Sequence, residues 1–146
     1  MSSRHHDFTL IDSGLLVNEE FTFLGASPDY IQFCKCCGMK LIEVKSIYSK
    51  KNLKPSIVAE DKISYDSERS KWTLKTETSW YYQIQCQMAV TKVYNTDLVI
   101  YKNKGILILG VNFNQEFWSI VFTKLKDFYL KNMVPEILSR TIESQL

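Results

Sequence analysis

The sequence has no long hydrophobic run, and its first ten residues, MSSRHHDFTL, lack the apolar core of a secretory signal. Because a transmembrane helix needs about 20 predominantly apolar residues, none is predicted. Internal repeats and low-complexity segments are also missing from the 146 residues, which excludes a repeat array and a disordered chain. We therefore expect one folded domain over residues 1–146. We also expect an intracellular, non-secreted protein, with the nucleus open as its compartment if the source is eukaryotic.

The chain carries little excess charge, since 18 Lys and Arg residues face 16 Asp and Glu residues and leave a net charge of +2. This balance neither indicates nor excludes a nucleic-acid partner, because a local basic groove is sufficient for binding. Lys45, Lys50, Lys51 and Lys54 do follow one another closely. The cluster is either part of a DNA-binding surface or a solvated loop.

Three of the four cysteines, Cys34, Cys36 and Cys37, fall in one predicted turn, and Cys86 lies apart from them. A structural zinc site needs four ligands, and these often come from two cysteine pairs. No second pair is nearby, so ordinary packing and turn positions are the favoured interpretation. Zinc binding stays open as an alternative.

Alternating apolar residues and turn signals predict a strand-rich first half and two helices in the second half. The chain order of predicted strands and helices indicates an α/β (α+β) domain with a mixed central β-sheet flanked by helices. Strands are predicted in residues 8–24 (two), 29–34, 40–47, 97–102 and 106–112. Helices are predicted over 79–92, capped by Thr78 or Ser79, and over 115–140, kinked or ended at Pro135. Residues 49–78 are predicted to form a long loop with a short helix near 55–62.

One predicted hairpin of this sheet carries both acidic and basic side chains. Asp29 begins one predicted strand, and Glu43 and Lys45 lie on one face of the next. Two carboxylates, with the backbone carbonyl of Val44, could bind a hard divalent cation such as Mg²⁺ or Mn²⁺, and an ammonium beside it suits phosphodiester hydrolysis. The alternative is a turn followed by a charged, solvated sheet edge.

The helix over residues 79–92 carries Gln83 and Gln87 four residues apart, on one face of an otherwise apolar segment. Buried amides need hydrogen-bond partners. These two side chains are therefore expected either to bond the sheet backbone or to face a polar site.

Together these segments resemble the YqaJ-type viral recombinases, relatives of lambda exonuclease in the PD-(D/E)xK nuclease superfamily. The motifs that carry the resemblance are Ser27-Pro28-Asp29, Glu43-Val44-Lys45, WYYQIQ and QMAVT. The resemblance implies a restriction-endonuclease-like core and a Mg²⁺-dependent DNA exonuclease that degrades duplex ends from 5′ to 3′. It also implies a role in DNA recombination or repair, beside a single-strand annealing protein, and the family includes a ring-shaped homo-oligomer.

Site residues follow from the resemblance position by position. It assigns Asp29 and Glu43 to the metal, Lys45 to catalysis and Gln83 to the motif glutamine, with Gln85 as the alternative. Contacts with DNA are expected from Ser27, Lys45, Gln85, Lys50 and Lys51.

The sequence departs from the family pattern in three places, and these departures leave alternatives to an active exonuclease. Tyr30 stands where the family often has glycine, and Ser46-Ile47 where many relatives have Cys-Pro. The N-terminal helices of the family are not found before Asp29, so a fragment is expected. Two alternatives to the exonuclease therefore remain: a catalytically impaired DNA-binding remnant of the same fold, and a PD-(D/E)xK endonuclease.

Overall fold

A computed structural model describes residues 7–48 and 52–140 of the chain. The chain divides into two compact units, Met1–Phe113 and Asn114–Leu146. The expectation of one domain over residues 1–146 stays a prediction. No helix in the described ranges is long and apolar enough to cross a membrane.

The first unit is built on a five-stranded mixed sheet with the strand order β1-β4-β5-β8-β9. The strands of the unit are β1 (Thr9–Asp12), β2 (Leu16–Val17), β3 (Gly25–Ala26), β4 (Tyr30–Cys34), β5 (Gly38–Ser46), β6 (Ile63–Asp66), β7 (Lys71–Leu74), β8 (Asn95–Lys102) and β9 (Gly105–Asn112). Its helices are α1 (Pro55–Val58) and α2 (Ser79–Thr91). The α/β class with a mixed central sheet is thereby confirmed.

Strand β5 lies in the interior of the sheet, antiparallel to β4 and parallel to β8. Its odd-numbered side chains share a face with the core residues of β8 and β9, because Glu43 pairs with Leu98 and Leu98 pairs with Leu109. Both leucines are fully buried. The alternation therefore directs Glu43 into the packed side of the sheet, and the interpretation of this segment as a solvated edge is wrong.

Helix α2 begins where predicted, because the Thr78 side chain accepts a hydrogen bond from the Tyr81 N–H. It ends at Lys92, which has a left-handed φ of 57°. Ile84 and Met88 are fully buried on this helix. The helix thus supplies apolar packing and, on the same segment, three glutamines.

The prediction of an irregular loop over residues 49–78 is wrong for most of the described part. Strands β6 and β7 pair antiparallel there, with Tyr65 opposite Trp72 and their rings 5.1 Å apart. Asp66 Oδ1 accepts from two backbone N–H groups of the connecting turn. Polar residues in the turn and on the outer face obscured the pairing, since only Ile63 and Leu74 are buried. The short helix ends earlier than predicted, at Val58.

The second unit is a broken helix. Its parts are α3 (Gln115–Phe128), a π-helical turn (Tyr129–Met133) and α4 (Val134–Ser139). Asn114 caps α3 by accepting from the Phe117 N–H at 3.0 Å. Pro135 has no N–H to continue the ladder, and the helix widens into the π turn just before it. The helix predicted over 115–140 is thus interrupted at Tyr129–Met133 and does not end at Pro135, which lies in the first turn of α4.

Candidate active site

Glu43 is a buried carboxylate, with 3% of the residue exposed. Three donors hold it in place. Its Oε1 accepts from Lys45 Nζ at 2.7 Å and from Gln83 Nε2 at 2.8 Å. Its Oε2 accepts from Gln87 Nε2 at 2.8 Å. A buried charge requires such pairing, and here one ammonium and two amides supply it.

Lys45 lies two residues along β5, on the same face as Glu43. Its ammonium bridges Glu43 Oε1 and Gln83 Oε1, the latter at 2.8 Å. It also lies 5.9 Å from the ring centre of Trp80, within the range of a cation–π contact. The Lys45 side chain is 20% exposed, against 5% for Glu43. The Lys45 side chain is therefore partly solvated, while the Glu43 side chain stays covered.

Asp29 is positioned by the end of the β4–β5 pairing. The last paired residues are Tyr30 and Ile42. One residue further out, Asp29 Oδ2 accepts from the Val44 N–H at 2.7 Å. Asp29 itself is exposed, and its Oδ1 accepts no hydrogen bond from the described residues. Asp29 is therefore fixed against the main chain next to Glu43, with one carboxylate oxygen free.

The loop that carries Asp29 is fixed by its neighbours. Pro28 is fully buried, and its carbonyl accepts from Ser13 Oγ at 2.5 Å. Proline also restricts the preceding residue to extended backbone. The Ser-Pro-Asp sequence thus delivers a carboxylate to a defined place at the end of β4.

Gln87 is part of this network, although the sequence did not lead us to include it in the predicted site. It is 2% exposed, and within the described residues its Oε1 accepts no hydrogen bond. Only an amide nitrogen can donate to a carboxylate, so the contact with Glu43 fixes the orientation of this amide. The spacing of four residues places Gln87 on the same helix face as Gln83. The sequence does not show that its hydrogen-bond partner is Glu43.

Gln85 requires a correction. It is fully buried, and its Nε2 donates to the Asn112 carbonyl at 2.9 Å. The side chain therefore ties α2 to the end of β9 and is not accessible to DNA. Gln85 faces away from Gln83 and Gln87, because residues two apart in a helix are rotated by about 200° about its axis.

The remaining predicted residues divide into two groups. Ser27 is exposed beside Asp29, and its role as a DNA contact stays a prediction. Lys50 and Lys51 lie outside the described residues.

The chemistry of the donors fits a hard divalent cation. Asp29, which bonds the Val44 N–H, and Glu43, which precedes Val44 in the chain, supply carboxylate oxygens, and Val44 offers its carbonyl as a predicted third oxygen ligand. In the described part of the chain, the single group of three His, Cys, Asp or Glu side chains close enough to share an ion is a cysteine group elsewhere. The two carboxylates would therefore hold Mg²⁺ or Mn²⁺ with water or substrate oxygens in the other positions, as Mg²⁺ prefers.

The structure has one carboxylate just before β4 and another on β5. A lysine lies two residues after the second carboxylate, and a glutamine comes from helix α2. This is the arrangement that the sequence predicts for a PD-(D/E)xK nuclease site, and its role stays a prediction. The sequence profile of the YqaJ-like viral recombinase domain matches residues 4–94. The chain belongs to this family, and the resemblance stated from its motifs is confirmed.

Solved structures agree on the fold. LHK-Exo in complex with dAMP superposes with a TM-score of 0.67 at 19% identity, over 95% of this chain and 65% of that chain. A second structure of LHK-Exo, described as an alkaline exonuclease from Laribacter hongkongensis, gives a TM-score of 0.65 at 19% identity, with the same coverage. This chain thus spans 65% of the length of LHK-Exo. No curated protein matches the chain in sequence.

Proposed function

We propose that the chain is a divalent-metal-dependent deoxyribonuclease that hydrolyses phosphodiester bonds at the Asp29–Glu43–Lys45 site. The observation that supports it best is the Lys45 ammonium, held by Glu43 and Gln83 within 2.8 Å at a partly solvated position. An isolated surface ion pair does not need a buried carboxylate with three donors. A site that has to hold a lysine ammonium in a fixed position for a substrate does.

Mg²⁺ or Mn²⁺ bound by Asp29 and Glu43 would polarise the scissile phosphate and acidify a water molecule. The protein supplies the arrangement around it. Lys45 has three N–H donors, and two of them are used within the described residues, by Glu43 and Gln83. The third can donate to a phosphate oxygen or to the attacking water. Lys45 thereby offsets the negative charge that develops in the transition state.

Two further contacts keep these groups in register. Gln83 accepts from Lys45 and donates to Glu43, so it fixes the distance between the ammonium and the carboxylate. Asp29 is bonded to the main chain of Val44, so its free oxygen keeps a constant relation to β5. Rigid placement of this kind is what catalysis by positioning and preorganised charge requires.

The substrate proposed is double-stranded DNA with free ends. Support comes from membership in the YqaJ-like viral recombinase family and from the fold shared with LHK-Exo, an alkaline exonuclease whose structure was solved with dAMP. The family resemblance also implies digestion from 5′ to 3′, assembly into a homo-oligomer and action beside a single-strand annealing protein. They are proposed on that ground alone.

The test compares linear and closed circular duplex DNA of the same sequence, with Mg²⁺ or Mn²⁺ and with EDTA. We expect release of mononucleotides from the linear form, none from the circle, and no reaction in EDTA. Lys45→Ala should abolish the reaction. Lys40→Ala is the matched control, because Lys40 lies on the same strand but on the opposite face, where it pairs with Asp97 at 3.2 Å; it should retain activity.

Cleavage of the circle by the wild type but not by Lys45→Ala would replace the exonuclease with an endonuclease at the same site. DNA binding without cleavage, unchanged by Lys45→Ala, would show a DNA-binding domain that does not use this site. Either result refutes part of the proposal, and the second refutes its chemistry.

A further inference from the structure

Three thiols converge at the turn between β4 and β5, at the opposite end of the hairpin from Asp29. Cys36 Sγ lies 3.3 Å from Cys34 Sγ and 3.3 Å from Cys37 Sγ. All three sulfur atoms lie within 4.8 Å of one another. Cys34 is fully buried, whereas Cys36 and Cys37 are exposed. The cluster thus has a fixed base and an open side that an ion can reach.

The backbone of this turn has the form of a cysteine knuckle. Cys34, Cys37 and Gly38 have the spacing Cys-x-x-Cys-Gly, in which paired thiols commonly bind zinc. The Cys37 N–H donates to Cys34 Sγ at 3.1 Å and to the Cys34 carbonyl at 3.3 Å. Gly38 closes the turn with a φ of +74°, which glycine adopts without steric cost. Metals bind the thiolate form, and hydrogen bonds with Cys34 and Cys36 raise the pKa of Cys37 to about 12, so a bound cation has to displace protons from this cluster.

The sulfur spacing is close to what a metal-bound cluster needs. The sulfur atoms are not joined by disulfides, since Cys36 Sγ lies 3.3 Å from Cys34 Sγ and from Cys37 Sγ, far longer than the disulfide bond of about 2.05 Å. Zinc–sulfur bonds of about 2.3 Å in tetrahedral geometry place two sulfur atoms about 3.8 Å apart. The cluster would have to widen by roughly half an ångström, which side-chain rotations at two exposed cysteines can provide.

We propose that Cys34, Cys36 and Cys37 form a thiolate site for a thiophilic d¹⁰ cation, with Zn²⁺ as the ion to test. This site differs from the candidate active site in ligand chemistry, since soft sulfur selects Zn²⁺ whereas carboxylates select Mg²⁺ or Mn²⁺. It is also separate in space. Strand β4 covers Tyr30–Cys34, so the thiols lie roughly 13 Å along the strand from the Asp29 end.

The role that follows is structural. Residues Tyr30 to Cys34 pair with Ile42 to Gly38, and this register places Asp29 beside the Glu43–Val44 backbone. A cation at the turn would clamp the closed end of the hairpin and so favour this register over a shifted one. The site would therefore raise the thermal stability of the protein without taking part in phosphodiester chemistry.

The experiment uses the full chain, reduced and freed of metal with a chelator, and then titrated with Zn²⁺ or Co²⁺ in the presence of excess Mg²⁺. We expect about one Zn²⁺ per chain by elemental analysis, a thiolate-to-Co²⁺ charge-transfer absorption, and a rise in the melting temperature. Cys36→Ser and Cys37→Ser should each lose the absorption and the rise. Both residues are exposed, so these variants are expected to fold.

Cys86→Ser is the matched control, because Cys86 lies on α2 outside the cluster; it should bind Zn²⁺ like the wild type. The proposal is overturned if the wild type takes up no Zn²⁺. It is equally overturned if binding persists in both Cys36→Ser and Cys37→Ser. Because nuclease activity is not a readout, failure here leaves the proposed function untouched, and the converse also holds.

Discussion

The contact between Gln87 and Glu43 allows a prediction in which stability and activity separate. Gln87→Leu replaces the amide with an apolar side chain of similar size at a position that is 2% exposed. It removes the donor that lies 2.8 Å from Glu43 Oε2. Glu43 keeps Lys45 and Gln83 on its other oxygen. The carboxylate therefore stays paired with two donors but loses the restraint on its other oxygen.

Two opposing effects determine the stability change. Loss of a hydrogen bond to a charged group destabilises by about 1.5–3 kcal/mol. The same substitution also removes the buried Gln87 Oε1, which accepts no bond within the described residues, and an unsatisfied buried acceptor costs about 1–3 kcal/mol. The two nearly cancel, so we expect the free energy of unfolding to change by less than about 1 kcal/mol.

Activity should change far more. Gln87 is a positioning residue, since it acts through Glu43, and loss of such a partner of a metal ligand typically lowers metal affinity or activity about 10- to 100-fold. The assay is mononucleotide release from linear duplex as a function of Mn²⁺ concentration, together with urea denaturation. We expect the Mn²⁺ concentration for half-maximal activity to rise.

Gln85→Leu is the matched control, because Gln85 is equally buried on the same helix but bonds Asn112 instead of Glu43. It should cost stability and leave the Mn²⁺ dependence unchanged. The reasoning is refuted if Gln87→Leu shows the Mn²⁺ dependence of the wild type. It is also refuted if Gln85→Leu and Gln87→Leu alter that dependence equally.

Three other predictions concern single residues. Asp29→Asn keeps an oxygen that can accept from the Val44 N–H, so the melting temperature should hold while metal-dependent cleavage is lost; retained cleavage would remove Asp29 from the metal site. Burial raises the pKa of the Cys86 thiol above its ordinary value of 9.0. Alkylation of Cys86 at pH 8 should therefore be slow in the folded protein and rapid in urea, and equal rates would contradict this. The contribution of this thiol to the free energy of unfolding should fall as the pH rises above about 9. Asp66→Ala removes the acceptor of two backbone N–H groups in the β6–β7 turn and should destabilise by about 1 kcal/mol in urea denaturation, with no change in cleavage per folded molecule.

The parts of the fold that the sequence predicted are those written in local patterns. Alternation around Glu43 and Lys45 predicted β5, and Thr78 predicted the start of α2. The β6–β7 hairpin was missed because most of its side chains are exposed or polar. Its cross-strand side-chain contacts include the Tyr65–Trp72 ring pair and the Ser64–Thr73 hydroxyl pair. Local propensity is a weak guide where packing on only one side decides the structure.

The candidate site shows a similar limit. Motif spacing predicts a site of Asp29, Glu43, Lys45 and Gln83. Hydrogen bonds join Glu43, Lys45 and Gln83, while Asp29 bonds the Val44 N–H beside them, and the functional roles stay predictions. The sequence did not separate Gln85 from Gln87, because both are amides on an apolar helix and only the neighbouring strands distinguish them. The cysteines show the same limit. Their spacing in the sequence supplies fewer than the four ligands of an ordinary zinc site, and only the structure shows that three Sγ atoms lie within 4.8 Å of one another.

The measurement that tests the central claim most directly is the rate of mononucleotide release from linear duplex DNA in Mn²⁺, compared between the wild type and Glu43→Gln. The substitution preserves shape, and its new amide N–H can donate to Gln87 Oε1 once the Gln87 amide turns over, because that oxygen accepts no hydrogen bond among the described residues of the wild type. The variant should therefore fold normally, as circular dichroism would show. The account predicts activity in the wild type and a loss of at least about 100-fold in the variant. A folded Glu43→Gln protein that cleaves DNA as fast as the wild type would contradict it.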